Sequence, residues 1–425
     1  MKTAKALITL VITALLLLAL PGCQPQPTAG GRGSGSAASS ADISTEPTEE
    51  SVESKSTDHD NRLSNKWGPS LVETEDALIL LPMVVPNLYY YDKATGDCGP
   101  LCGRPECTHT DAGCNSYVGG ASSMSCYDGK LYWLGSRKIA EKQYFGIWKM
   151  DTDGTNLELF ADFQGLQDEW GVTEGMVLHR GRIYLLVRED TVEDTVPVVC
   201  LRLLSAELAH PTSFHVLLER RSSTGFHHDL NLVGDNAYFC IASIEETNVN
   251  LLTREIVRIS IPAEETQQLY YAEHTPLSYM AFYVTKEEKV YLCTAEYDRI
   301  PFYFCKLWRV ENGDLVPVFE FSDEELLYGH VSITDGLVRY VALDSEEELA
   351  VWYTDLEGNT LYKGPLESDK YALGVGGGAT IEFGGQDTVF YVYRESAKAN
   401  KFYLLRYDVA PSGVTETVLI SADLG

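Results

Sequence analysis

The chain has 425 residues, with 62 acidic side chains against 33 basic ones and a formal net charge of -29. A polyanion of this kind cannot follow a phosphate backbone, which excludes nucleic acid as a partner. A hydrophobic content of 44% excludes a wholly disordered chain, and 25 tyrosines with 6 tryptophans favour strands over helices.

In chain order, residues 1–22 predict an export signal. Lys2 and Lys5 supply its positive end, and Ala6 to Leu20 form an apolar run of 15 residues, short for a bilayer span but suited to a signal core. The run ends in Leu20-Pro21-Gly22-Cys23, which resembles a bacterial lipobox. That resemblance implies a diacylglyceryl group on Cys23, loss of the preceding 22 residues and a lipid-anchored protein facing outward from the cell membrane. Residues 23–66 carry a Gly/Ser stretch and an acidic Ser/Thr/Glu/Pro stretch without apolar periodicity, which predicts a disordered tether.

Residues 67–425 repeat one unit. A turn feeding an alternating aromatic strand recurs at Asp128-Gly129, Arg180-Gly181, Asp235-Asn236 and Glu288-Lys289, with weaker copies at Asp76, Asp335 and Asp387. The equivalent strand positions Ile79, Tyr132, Tyr184, Tyr238, Tyr291, Arg339 and Phe390 lie 48 to 54 residues apart. A second strand, leading into a polar hairpin, follows each of them, as at Ile147-Trp148-Lys149-Met150. Four short strands per unit, stacked so that each sheet covers its neighbour, predict an all-β fold: a single seven-bladed β-propeller of four-stranded blades. A six- or eight-bladed ring is the alternative, because the sixth unit is short and Arg339 breaks the aromatic position.

The first crossover carries Cys102, Cys107, His109 and Cys114 in the spacing C-x4-C-x-H-x4-C. Three thiolates and an imidazole suit a tetrahedral, structural Zn²⁺. Cys98 lies close enough in sequence for two local disulfides with Cys102, Cys107 and Cys114 instead, and both readings stand at this point. Asp151-Thr152-Asp153-Gly154 invites a calcium reading, but the alternating strand after it predicts a hairpin turn. Gly374 to Ala379 matches G-x-G-x-x-A by letters without a strand–helix unit around it, and reads as close backbone approach near the axis.

The lipobox, the acidic tether, the blade length and the Cys/His cluster together resemble surface lipoproteins of anaerobic Gram-positive gut bacteria with TolB-like propellers. The resemblance implies location and architecture and supplies no catalytic residues. Candidate binding residues are those entering the inner strands at the channel mouth: Trp170, Glu174, His228, Asp229, Tyr279 and His330. His227-His228-Asp229 reads first as a solvated turn, and otherwise as metal ligands or a base with its orienting carboxylate. The expected function is a binding module for a protein, peptide or glycan at the axial mouth. The alternatives are a surface glycan hydrolase or lyase built around the channel, and an envelope-assembly scaffold.

Overall fold

Each repeat becomes a sheet because its turns close tightly. Asp128 and Gly129 have φ values of 49° and 68°, and Arg180 and Gly181 have 47° and 73°. Paired positive values of this kind match the twist of an antiparallel hairpin. The computed structural model describes residues 62–63, 70–82, 85–119, 121, 123–139, 141–163, 165, 171–193, 195–244, 251–276, 279–296, 304–321, 327–334, 336–343, 349–366, 382–384, 388–394 and 401–423. Every described residue belongs to one compact unit, Ser54–Gly425. Cys23, Trp170 and Gly374 to Ala379 lie outside the described residues, as does all of the expected tether except Arg62–Leu63.

Every regular element among the described residues is a strand; none of them forms a helix long and apolar enough to cross a membrane. The strands form antiparallel meanders in sequence order, the first over residues 70–100, the second over 123–162 and the third over 172–222. The fourth covers 226–276, the fifth 279–321, the sixth 327–365 and the last 382–423.

The expectation of seven four-stranded blades is corrected here. Six sheets have four strands; the fourth has five, because Arg62–Leu63 adds itself to the free edge of Phe226–Val233. Arg62 pairs with Asn231 and Leu63 with Leu230. An open inner edge presents unpaired backbone N–H and C=O groups, and a passing extended segment satisfies them whatever its side chains.

One apolar cluster fills each junction between neighbouring sheets. Tyr132, Leu134 and Ile147 of the second sheet, for example, pack on Met176, Ile183 and Leu185 of the third. The aromatic positions of the repeat are buried in these junctions, Tyr132, Tyr184, Tyr238 and Tyr291 among them. Arg339 is buried as well, with its guanidinium carbon 5.8 Å from the Tyr353 ring centre and 5.9 Å from that of Tyr407. The sixth unit therefore keeps its packing with a cation between two rings. The first and last sheets meet through Leu78 and Leu80 against Phe402, Leu404 and Ile420, with no strand exchanged between them among the described residues.

The first strands of neighbouring sheets lie side by side and form the inner wall. Their free N–H groups bond to polar side chains of the preceding sheet: Met124 N donates to Ser70 Oγ (3.2 Å), Met176 N to Ser123 Oγ (3.0 Å) and Val284 N to Asn231 Oδ1 (3.2 Å). The wall between the third and fourth sheets has a further element. There the added strand Arg62–Leu63 runs along the wall, and a side-chain pair crosses it.

Candidate functional site

Two places gather chemistry-bearing side chains, and they are built differently. The first is the crossover from the first sheet to the second. Cys102, Cys107, His109 and Cys114 bring their ligand atoms within 4.8 Å of one another. A tetrahedral ion with sulfur at ~2.3 Å sets its ligand atoms ~3.8 Å apart, so these positions need less than about 1 Å of closure. His109 takes a left-handed backbone (φ 59°), and its Nδ1 lies 3.3 Å from Cys114 Sγ. Cys98 does not join the group: it is exposed, in the last strand of the first sheet. No disulfide links any of the cysteines from Cys98 to Cys305.

The surroundings suit thiolates. Burial pushes the Cys102 thiol up, but backbone N–H groups of Arg104 and Asn115 directed at the sulfur outweigh it and hold the thiol down to about 6. Cys114 is pushed up by burial, even though the Ser116 hydroxyl lies 3.0 Å from its sulfur. A dication bound here would displace the thiol protons that remain. Arg104 places Nη2 3.4 Å from Cys107 Sγ and donates from the same atom to Gly113 O (2.6 Å).

Arg137, from the second strand of the second sheet, pins the loop from beneath. Its Nη2 donates to Ala112 O (2.9 Å) and Cys114 O (2.8 Å), and its Nη1 donates to Tyr117 O. Sequence reasoning missed both arginines. Arg104 lies inside the motif and could have been noticed; Arg137 carries no local signal. The hairpin turn expected at Asp151 is present. Its carboxylates are engaged in the turn, Asp151 with Lys130 (2.5 Å) and Asn156 (2.7 Å), and Asp153 with Thr155 (2.7 Å).

The second place is the inner wall between the third and fourth sheets. His227, His228 and Asp229 are not a solvated turn: they lie within the strand Phe226–Val233, with Asp229 buried. Leu230 and Leu232 carry the alternation that makes this segment a strand, and it begins directly after Gly225. His228 Nε2 donates to Glu174 Oε2 at 2.9 Å, with side-chain exposures of 8% and 7%. Glu174 reaches its partner because the register of its strand slips between Thr173 and Gly175. A bulge of this kind re-aims one side chain without ending the strand. Asp229, on the next position of the strand, does not take part in this contact. Tyr279 and His330 occupy the first and fourth positions of the inner strands Tyr279–Val284 and Leu327–Thr334, again beside register slips. Their side chains lie outside the described set.

No family model and no curated protein matches the chain. Among solved structures, an ulvan lyase of a new family of polysaccharide lyase aligns at a TM-score of 0.50 and 11% identity, over 84% of this chain and 95% of its own. The β-propeller domain of the Trilobed protease from Pyrococcus furiosus aligns at 0.42 and 11% identity, over 71% of this chain and 98% of that domain. A prolyl endopeptidase aligns at 0.48 and 12% identity, over 84% of this chain and 50% of its own, so this chain spans about half the length of that enzyme. At such identities the likeness to the lyase is one of fold, and it agrees with the sheet order: the protein is an all-β β-propeller.

Proposed function

We propose that the protein is a lipid-anchored, extracytoplasmic binding module whose propeller takes its ligand where the inner strands begin. The observation that carries this reading is the Glu174–His228 pair, formed by a bulge at the start of one inner strand and by the neighbouring strand. A buried pair of this kind is a fixed polar anchor on an otherwise packed wall, the arrangement that orients a ligand. The ligand classes are a protein segment, a peptide or a glycan. The ion proposed for the first crossover is Zn²⁺.

A second reading, a glycan hydrolase or lyase, is favoured by one feature: an imidazole hydrogen-bonded to a carboxylate is also a general acid–base unit. One experiment separates the two. The full chain in detergent is presented to an immobilised panel of neutral and uronate-bearing glycans and to a library of extended peptides. The binding-module reading expects one class to be retained intact, and Glu174→Gln to weaken that retention at least about tenfold. Retention indifferent to Glu174→Gln and His228→Asn overturns the proposed site. Appearance of new reducing ends or unsaturated sugars, lost in Glu174→Gln, transfers the assignment to the enzyme reading. Anchoring is checked separately by lipid labelling of the host-expressed chain, which Cys23→Ala must abolish.

A further inference from the structure

We propose that Cys102, Cys107, His109 and Cys114 form a closed Zn²⁺ centre that clamps the first crossover onto the hairpin at Asp151–Asn156 of the second sheet. This rests on the zinc reading above and is independent of the ligand reading at Glu174 and His228. All four coordination positions belong to the protein, so the centre is structural and has no open site for substrate. Three thiolates and a neutral imidazole around a dication leave one net negative charge. The Arg104 guanidinium beside Cys107 offsets it.

The clamp follows from which atoms flank the ligands. Gly103, the residue after Cys102, donates its backbone N–H to Gly154 O (3.1 Å). Asn115, the residue after Cys114, donates Nδ2 to the same carbonyl (2.8 Å). These two donors lie twelve positions apart in the chain and meet at one carbonyl, each directly following a ligand residue, Cys102 or Cys114. Metal binding therefore presents both donors to one acceptor on another sheet. The contact is close on both sides. A Cβ at Gly154 would meet Gly103 N at 2.7 Å and Cys102 N at 2.9 Å, and one at Gly103 would meet Thr155 Cγ2 at 2.2 Å. Outer partners of this kind fix ligand orientation and tune metal affinity.

The test uses the full chain purified under reducing conditions, either zinc-loaded or stripped with a chelator, and combines native mass spectrometry with hydrogen exchange. One zinc per chain is expected. Loading is expected to slow exchange at least about tenfold at Gly103 and across residues 151–156, while the last three sheets are unchanged. Replacing zinc with Co²⁺ should give the visible bands of a tetrahedral thiolate site. His109→Ala and Cys114→Ser should lower metal affinity at least about 100-fold, while Cys98→Ser leaves it unchanged. A chain that retains no metal, or that is lighter by two hydrogens per cysteine pair, overturns the zinc centre itself. Zinc retained with exchange slowed only within residues 102–114 overturns the clamp and leaves the centre standing.

Discussion

The first crossover and the wall between the third and fourth sheets both join neighbouring sheets through polar side chains, yet they are specified in opposite ways. In the crossover, four ligand residues fall within thirteen positions, so the chain brings them together locally and packing only fixes their approach. At the wall, Glu174 and His228 are 54 positions apart and meet only because two sheets stack and one strand bulges. A locally encoded site survives loosening of the ring; a site assembled from distant strands reports on the ring's integrity. Chemistry that must persist belongs in the first, and chemistry that must respond to the fold belongs in the second.

The largest effect that would break this contrast is expected at Arg137. Arg137→Met keeps the stem near Trp148 but strands three carbonyls of the crossover, Ala112, Cys114 and Tyr117. A loss of about 2–4 kcal/mol in unfolding free energy follows from removing charge-assisted bonds at a buried site. Metal affinity should fall with it, whereas a loop that is truly self-sufficient would keep its affinity.

A smaller effect is expected for Gly154→Ala. Gly154 has a φ of +82° and lies against the backbone of Cys102 and Gly103. Strain and displacement together should cost about 1–3 kcal/mol, read as a lower melting temperature, and should loosen the crossover while the Glu174–His228 bond persists. Chemical shifts of the His228 ring check the second half of that statement, since any change there would mean that the two regions communicate.

The smallest effect at neutral pH comes from groups that take part in neither the Cys/His cluster nor the Glu174–His228 bond. Burial pushes the Cys240 and Cys305 thiols from 9.0 up to about 12, and the Tyr184 hydroxyl from 10.0 up to about 12. The folded chain holds these protons longer than the unfolded one. Their contribution to stability is complete below about pH 9 and declines as pH rises towards about 12. Denaturant titrations between those limits should show the midpoint falling steadily. A flat profile would mean that these sheet junctions admit water.

Much of the fold was legible because it is written in turns. Asp128-Gly129 and Arg180-Gly181 announce hairpins by residue type, and the buried tyrosines repeat with them. The metal-type cluster was legible for the same reason: its spacing is its geometry. What stayed hidden depends on stacking. His227-His228-Asp229 is polar enough to pass for a turn, and only the leucines after it and the neighbouring sheet make it a strand, with His227 exposed and Asp229 buried. A bulge at Glu174 leaves no mark in the sequence. Arg339 looked like a defect because its partners, Tyr353 and Tyr407, come from two different sheets. The added strand is two residues long, too short for any periodicity, and its place is decided by the open edge it meets.

That added strand has a mechanical consequence. Arg62–Leu63 grips the fourth sheet before the chain reaches Ser70 and the first sheet. A pull on the chain ahead of Arg62 is therefore delivered to the strand Phe226–Val233, at nearly the opposite side of the ring from where the first and last sheets meet. That meeting line is packed by apolar side chains, with no strand exchanged across it among the described residues. The short strand acts as a strain relief, diverting load from that line for as long as its two residue pairs hold.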